Sequence, residues 1–373
     1  MTMEKRILFA TNTSRHAWRH RSTLALAALN AGHKVCFLCP SGEEVASMKA
    51  VGIEHIPLSI QRKGINPFRE LITLFSVYKS IKRFKPDIYH GFTIKLLIYG
   101  GISCRLQKVP KYFLNVTGIG SLFLDSNSYN FTKKIVSHLY KWVFTPSQAR
   151  AIFQNSEDKK FFINQKWIKK EKCIVISGTG IDTRKIVPSY STRNEKVNIL
   201  YAGRIIKDKG ISELISACEN IQKNQDCLRL HICGELDSEN PSNYSQHEWE
   251  TISKKEFIRL HGFQSQMKKH FEKADIVCLP SYREGLPLFL IEAGAYGKVA
   301  VASDVPGCNT IITNNENGLL VEVKNIVALQ EALELLIQNP DIRFKMGKKA
   351  RLNVENNYDS HLLINKYLQL YLN

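Results

Sequence analysis

Residues 275–297 constrain the fold most. Asp275-Ile-Val-Cys-Leu-Pro280 is an apolar run of strand length. A turn containing Glu284-Gly285 follows, and Pro287 opens a helical pattern that runs to Gly297. Proline suits a first helical turn because its missing N–H would have no partner there. A buried strand that passes through a short turn into a helix is half of a βαβ unit, and such units build parallel sheets. The turn amides of Gly285 and Leu286 then lie at a helix N-terminus, where backbone N–H groups attract anions. Glu284 and Glu292 stand eight residues apart. That is a little over two helical turns, so they return to one face. Amides for phosphate and carboxylates for hydroxyls suit a phosphorylated sugar.

The same strand–turn–helix unit recurs along the chain. Lys5-Arg-Ile-Leu-Phe-Ala-Thr-Asn12 reads as a strand, residues 22–32 as a helix stopped by Gly32, and Val35-Cys-Phe-Leu-Cys39 as the next strand. The first turn has no G-x-G-x-x-G signature, which argues against a dinucleotide in this half. It carries Arg15, His16, Arg19, His20 and Arg21 instead. His16 and His20 have no acidic or cysteine partners nearby, so a metal is rejected. Arg21, read as the helix start, is placed to meet an acceptor phosphate. Residues 68–85 form an amphipathic pattern with Phe68, Leu71, Ile72, Phe75, Tyr78 and Ile81 on one face and Lys79, Lys82, Arg83 and Lys85 near its end. Strands at 87–92 and 111–116 deliver Thr93, Lys95 and Thr117-Gly-Ile-Gly120 to the C-terminal sheet edge, where open α/β sheets bind ligands. Residues 121–145 mix aromatics with lysines; a membrane-interface helix and a core helix with solvated lysines fit equally.

Residues 183–196 are polar and read as a linker. The pattern then restarts, with strands at 198–202, 228–233, 257–261, 275–280, 299–303 and 318–323 and a closing helix at about 359–371. The expected architecture is α/β, with two Rossmann-like doubly wound domains over residues 1–187 and 188–358.

The 373 residues, 44% hydrophobic and 23% charged, suit two soluble globular domains. No apolar run approaches the ~18 residues that span a bilayer, and the start reads as a strand rather than a secretory signal. Nine scattered cysteines, mostly in apolar runs, read as buried thiols of a reducing cytoplasm. The net charge of +18 is unevenly placed: residues 1–190 hold 30 Lys and Arg against 11 Asp and Glu, and the rest hold 22 against 23. Solvated surface lysines explain a modest excess, but not this split. It points to an extended anionic partner for the first half, nucleic acid or an anionic membrane. Glu284 and Glu292 would repel a phosphate backbone that offered no sugar hydroxyls, so nucleic acid is set aside.

Arg204 and Lys209 follow the first strand of the second half, and Glu284 and Glu292 follow its fourth. Both places open on the C-terminal edge of a parallel sheet. Arg204, Lys209 and the amides of Gly285 and Leu286 can converge on a diphosphate. Glu292 suits a ribose diol, Glu284 a transferred sugar, and Gly262-Phe263 a base.

Gly203-Arg204, Lys209-Gly210 and Glu284-Gly285 with Glu292 resemble glycosyltransferase family 4, retaining nucleotide-sugar enzymes of the GT-B fold. The wording Leu279-Pro-Ser-Tyr-Arg-Glu-Gly-Leu-Pro287 matches as well. The resemblance implies a UDP-sugar held in the second domain by Gly203, Phe263, Gly285, Leu286, Pro287 and Glu292, with Arg204, Lys209 and Glu284 catalytic. It implies an acceptor in the first domain, a central cleft, no cofactor or metal, and a closing helix, 359–373, that returns to the first domain. The chain has no Asp-x-Asp pair of the metal-dependent kind.

The first half is similar to a bacterial subgroup that extends undecaprenyl-diphosphate-linked sugars, including N-acetylgalactosaminyltransferases of glycan and O-antigen assembly. It is similar in Arg62 with Asn66-Pro67-Phe68, in His90-Gly-Phe-Thr-Ile-Lys95 and in Thr117-Gly-Ile-Gly120. This implies acceptor contacts at Arg21, Arg62, Lys95, Gly118 and Gly120 and a place for His90 at the reacting sugar, with Lys95 a comparable candidate and a structural role for His90 the alternative. The implied setting is cytoplasmic, peripheral on the inner face of the bacterial plasma membrane. A UDP-sugar 2-epimerase of the same fold, and a transferase with a soluble acceptor, are the alternatives.

Overall fold

The structure, a computed structural model, describes residues 3–61, 66–118, 131–190, 195–223, 225–238 and 240–372. It divides into two compact units, Met1–Thr179 with His361–Asn373, and Gly180–Ser360.

The first unit alternates β1 (Arg6–Ala10), α1 (Ser14–Asn30), β2 (Lys34–Cys39), α2 (Glu44–Ala50), β3 (Glu54–Pro57), α3 (Pro67–Phe84), β4 (Ile88–Phe92), α4 (Ile94–Leu106), β5 (Lys111–Val116), α5 (Phe131–Phe144), β6 (Ala149–Phe153), α6 (Ser156–Asn164) and β7 (Cys173–Val175). The strands form one parallel sheet in the order β3-β2-β1-β4-β5-β6-β7. Strands buried on both faces read as unbroken apolar runs, and β1 and β2 are such runs after their first residue. Residues of α3 to α6 share one core, and α1 and α2 cover the opposite face.

The second unit runs β8 (Val197–Ala202), α7 (Ile211–Gln222), β9 (Leu228–Cys233), α8 (Gln246–Ser253), β10 (Ile258–Leu260), α9 (Lys268–Lys273), β11 (Ile276–Leu279), α10 (Leu288–Ala295), β12 (Val299–Ser303), α11 (Cys308–Ile311), β13 (Gly318–Val321), α12 (Ile326–Gln338) and α13 (Pro340–Asn357). Its parallel sheet has the order β10-β9-β8-β11-β12-β13. In both sheets the winding reverses between two central strands, β1 and β4 in one, β8 and β11 in the other. Open α/β sheets bind ligands outside the strand ends at that reversal.

The last helix, α14 (Ser360–Leu372), packs on the α1 side of the first unit through Leu363, Ile364, Tyr367 and Tyr371. The unit boundary falls at Thr179 and Gly180, earlier than the 187/188 division read from composition. Hydrogen bonds explain the shift. Ile181 N–H donates to Tyr358 O at 3.0 Å and Ser360 N–H to Ile181 O at 2.9 Å. Asp359 accepts from the Thr183 backbone N–H and hydroxyl, at 3.2 and 2.5 Å. Ser189 N–H donates to Tyr296 O at 2.9 Å, so the polar stretch is strapped to the second unit. Gly180 has φ +68, and a Cβ there would stand 2.3 Å from Tyr358 O, so only glycine lets the two segments lie side by side.

Three sequence expectations change locally. Helix α1 starts at Ser14, not at 22, because the Thr13 hydroxyl caps it by accepting from His16 N–H at 2.9 Å. Pro287 is the extended N-cap of α10 rather than its first helical residue. Helix α3 buries Thr73, Val77, Ser80, Ile81 and Phe84, not the face carrying Phe68, Leu71, Ile72 and Phe75. Thr73 and Ser80 can be buried because their hydroxyls donate back to Arg69 O and Ser76 O, at 2.9 and 2.8 Å.

Candidate functional site

In the second unit the residues after β8 and β11 are locked together. Lys207–Lys209 form a 3-10 turn. Tyr282 N–H donates to Asp208 O at 2.9 Å, and the Lys209 ammonium lies 2.5 Å from a Glu284 carboxylate oxygen. Both partners of that pair are largely shielded, with side chains 16% and 14% exposed. Gly210, at φ +69, lets the turn press on β11: a Cβ there would stand 2.0 Å from Pro280 O. Gly307 packs likewise on the backbone of Glu284 and Gly285.

The surrounding groups are unequal. The Arg204 guanidinium is well exposed and sits 3.1 Å from Asp237, a partner that sequence reading missed. The Arg204 carbonyl accepts from the Tyr201 hydroxyl at 3.0 Å, and that hydroxyl also crowds Gly203. Glu292 has no side-chain hydrogen bond or ion pair among the described residues, and burial raises its pKa to about 7. The Leu286 amide donates to nothing among the described residues. Gly262 stands in open space, and Phe263 is 41% exposed. Lys209, Glu284 and the Gly285 backbone are thus brought together at the strand-order reversal, with cationic Arg204 nearby along the chain on the β8 side. Ser281, fully buried with a hydroxyl that finds no partner among the described residues, was not anticipated; it lies between β11 and the Glu284 turn.

In the first unit the reversal between β1 and β4 holds a cavity of about 310 Å³, lined by Asn12, Gln61, Thr93, Lys95, Thr117 and Gly118 among others. Lys95 is fixed: its ammonium reaches Gln61 O at 2.8 Å and Glu70 at 2.5 Å, while the other Glu70 oxygen accepts from the Tyr99 hydroxyl at 2.5 Å. Thr93 has φ +74, a strained value for a β-branched residue, and its buried hydroxyl lacks a partner among the described residues. Neither Glu70 nor the Thr93 strain was read from sequence; strain of this kind leaves no sequence pattern. Arg62 and Gly120 lie outside the described residues.

Two expected site residues are corrected. His90 is 0% exposed, stacked on Phe92 with ring centroids 4.3 Å apart, and its Nδ1 shares a 2.6 Å hydrogen bond with the Tyr371 hydroxyl. It sits in the middle of a strand covered by α14, so it is a core residue and does not face a reacting sugar. Burial, with Arg21 nearby, holds its pKa well below the usual value. Arg21 is 3% exposed inside α1, its guanidinium 4.2 Å above the Phe92 ring, and does not open to an acceptor. The early start of α1 puts it on the inward face instead of at a helix end.

Residues 6–156 match the family model "Glycosyl transferase 4-like", and residues 182–353 match "Glycosyl transferases group 1". The chain is 27% identical over 379 residues, 98% of each chain, to an N,N'-diacetylbacillosaminyl-diphospho-undecaprenol alpha-1,3-N-acetylgalactosaminyltransferase of Campylobacter jejuni. It is 26% identical, over 83% of this chain and 81% of the relative, to a UDP-Gal:alpha-D-GlcNAc-diphosphoundecaprenol alpha-1,3-galactosyltransferase of Escherichia coli. A glycosyltransferase of Rickettsia africae superposes with TM-score 0.79 at 21% identity, covering 99% and 98% of the two chains. Anabaena HepE, crystallised with UDP and glucose, superposes with TM-score 0.79 at 15% identity, covering 99% of both. The chain is a glycosyltransferase of the GT-B fold. Its first half is similar to the family 4-like model and its second half to the group 1 model.

Proposed function

We propose that this enzyme moves a hexose or N-acetylhexosamine from a UDP-sugar to an undecaprenyl-diphosphate-linked saccharide, with retention of configuration, in bacterial surface polysaccharide or glycan assembly. The observation that carries the reading is the shielded Lys209–Glu284 pair at the strand reversal of the second unit. The near full-length likeness to a transferase whose name specifies a diphospho-undecaprenol sugar supports the acceptor class.

In this reading Lys209 and Arg204 meet the donor diphosphate and stabilise the charge that develops as it leaves. Glu284 keeps one oxygen on Lys209 and offers the other to sugar hydroxyls. Glu292, without another partner, accepts from the ribose diol. The anomeric carbon–oxygen bond to the diphosphate breaks as the acceptor oxygen bonds the same face, and the departing phosphate oxygen takes the acceptor proton. The acceptor diphosphate and its saccharide lie at the cavity beside Thr93, Lys95 and Gly118. No metal is invoked; a reaction rate unchanged in EDTA is the expected result. No helix of the described residues is long and apolar enough to cross a membrane, so the proposed placement is peripheral, on the inner face of the plasma membrane.

A screen of UDP-sugars against polyprenyl-diphosphate-linked saccharides, read by mass, tests the reading. Addition of one hexose or N-acetylhexosamine is expected. Conversion of UDP-N-acetylglucosamine without any acceptor would instead make the protein an epimerase.

A further inference from the structure

Helix α3 leaves a contiguous apolar face uncovered. Phe68, Leu71, Ile72 and Phe75 are 78%, 62%, 65% and 57% exposed. Their spacing places them on one side of the helix across its first turns. Single exposed apolar side chains are ordinary on soluble proteins; four large ones together mark an interaction surface. Further along the helix the exposed positions become cationic, with Lys79, Lys82 and Arg83, and Arg69 stands among the apolar residues. The Lys79 ammonium lies 4.5 Å from the centre of the Phe75 ring. The only carboxylate of α3, Glu70, is turned inward onto Lys95 and Tyr99. The exposed face is therefore apolar and positive, with no acidic group.

That charge selects the partner. An apolar helix face with flanking cations matches the boundary of an anionic bilayer, where acyl chains meet negative headgroups. The surplus of 30 basic against 11 acidic residues in positions 1–190 has the same sign. Position agrees too. Glu70, between Phe68 and Leu71, bonds Lys95 in the wall of the first-unit cavity, so the start of α3 is tied to that cavity. We propose that Phe68, Leu71, Ile72 and Phe75 seat α3 in the acyl boundary of an anionic membrane, holding the Lys95 cavity at the height where a lipid-borne diphosphate emerges. This seating rests on the lipid-linked acceptor reading for its purpose, but its physical content stands apart.

The test is flotation with vesicles of phosphatidylcholine alone or with phosphatidylglycerol. The wild-type protein is expected to float with the anionic vesicles and to be released as salt is raised. The quadruple variant Phe68→Ser, Leu71→Ser, Ile72→Ser, Phe75→Ser is expected to lose at least about 100-fold in partitioning, because apolar insertion adds to the electrostatic attraction. Its melting temperature should not fall, since these side chains are exposed. Val327→Ser with Leu352→Ser, exposed apolar positions of the other unit, should leave partitioning unchanged. Transfer to a water-soluble short-chain diphosphate-saccharide acceptor should be equal in wild type and quadruple variant. Failure of both to transfer counts against the proposed reaction, while the flotation result still decides the seating. Three results overturn the seating: no flotation of wild type at low salt, equal flotation of the quadruple variant, or a wild-type dimer that the four substitutions dissociate, which would make the face a protein interface.

Discussion

Glu292 is the residue where burial and proposed role meet. Its pKa is raised from 4.5 to about 7 by burial. The folded protein therefore keeps a proton that the unfolded chain has lost, and stability falls as pH rises from about 4.5 to about 7. Glu292→Gln removes that slope. The variant should melt like wild type near pH 5 and higher than wild type at pH 8, read by thermal unfolding. Glu292→Ala, which removes the acceptor, should raise the donor KM about 10-fold, the scale of one lost hydrogen bond. The Lys209–Glu284 pair is expected to act on turnover. Lys209→Ala and Glu284→Gln should each lower kcat by about 100-fold, as for loss of a preorganised electrostatic contact; near-normal kcat in either removes that residue from the reaction. His90 should behave oppositely. Tyr371→Phe, which removes its hydrogen bond, and His90→Ala should lower stability by about 1–3 kcal/mol, while kcat per folded molecule stays unchanged.

At the scale of elements, the site depends on how closely the turn after β8 meets β11. Gly210→Ala tests this. The new Cβ collides with Pro280 O, and φ +69 is costly for an L residue. The turn must shift, carrying Lys209 from Glu284, so both melting temperature and kcat should drop; an unchanged kcat would show that the contact is dispensable. Most strands were legible because parallel strands buried on both faces, such as β2, β11 and β12, are continuous apolar runs. The pairing of Lys209 with Glu284 was only half legible. Sequence placed both at one sheet edge, but the 75-residue separation hid their contact. Helix α1 was misread because its opening turns are polar and cationic, so its true cap, Thr13, lay upstream of any apolar period. Helix α3 was misread because its buried face includes Thr73 and Ser80, whose self-bonded hydroxyls count as polar in a sequence pattern. The more apolar-looking face is the exposed one, and no local periodicity distinguishes a core from a membrane as its cover.

For the molecule as a whole, the chain's last residues complete its first unit. Helix α14 was legible as a helix, but its place came from family resemblance, since nothing local says which core a terminal helix fills. Leu363, Ile364, Tyr367 and Tyr371 are 2%, 7%, 0% and 0% exposed in the core with α1 and β4. Polar contacts add to them: Asn115 Nδ2 donates to the Tyr367 hydroxyl at 3.3 Å, and the Lys5 ammonium donates to Tyr371 O at 2.6 Å. Burying four such side chains is worth about 1.5–3 kcal/mol each. That total is comparable to the 5–15 kcal/mol by which a typical domain is stable. Removing residues 361–373 should therefore leave His90, Asn115 and Arg21 under an opened core and unfold the first unit. Gly180–Ser360 keeps its own sheet and core, and the strap between Ile181 and Tyr358 lies wholly within it. Limited proteolysis of the truncated chain should digest residues 1–179 and protect a fragment spanning 180–360, whereas the intact chain resists in both units. Protection of the first unit after truncation would mean that α14 is an accessory, and the buried tyrosines would then need another explanation.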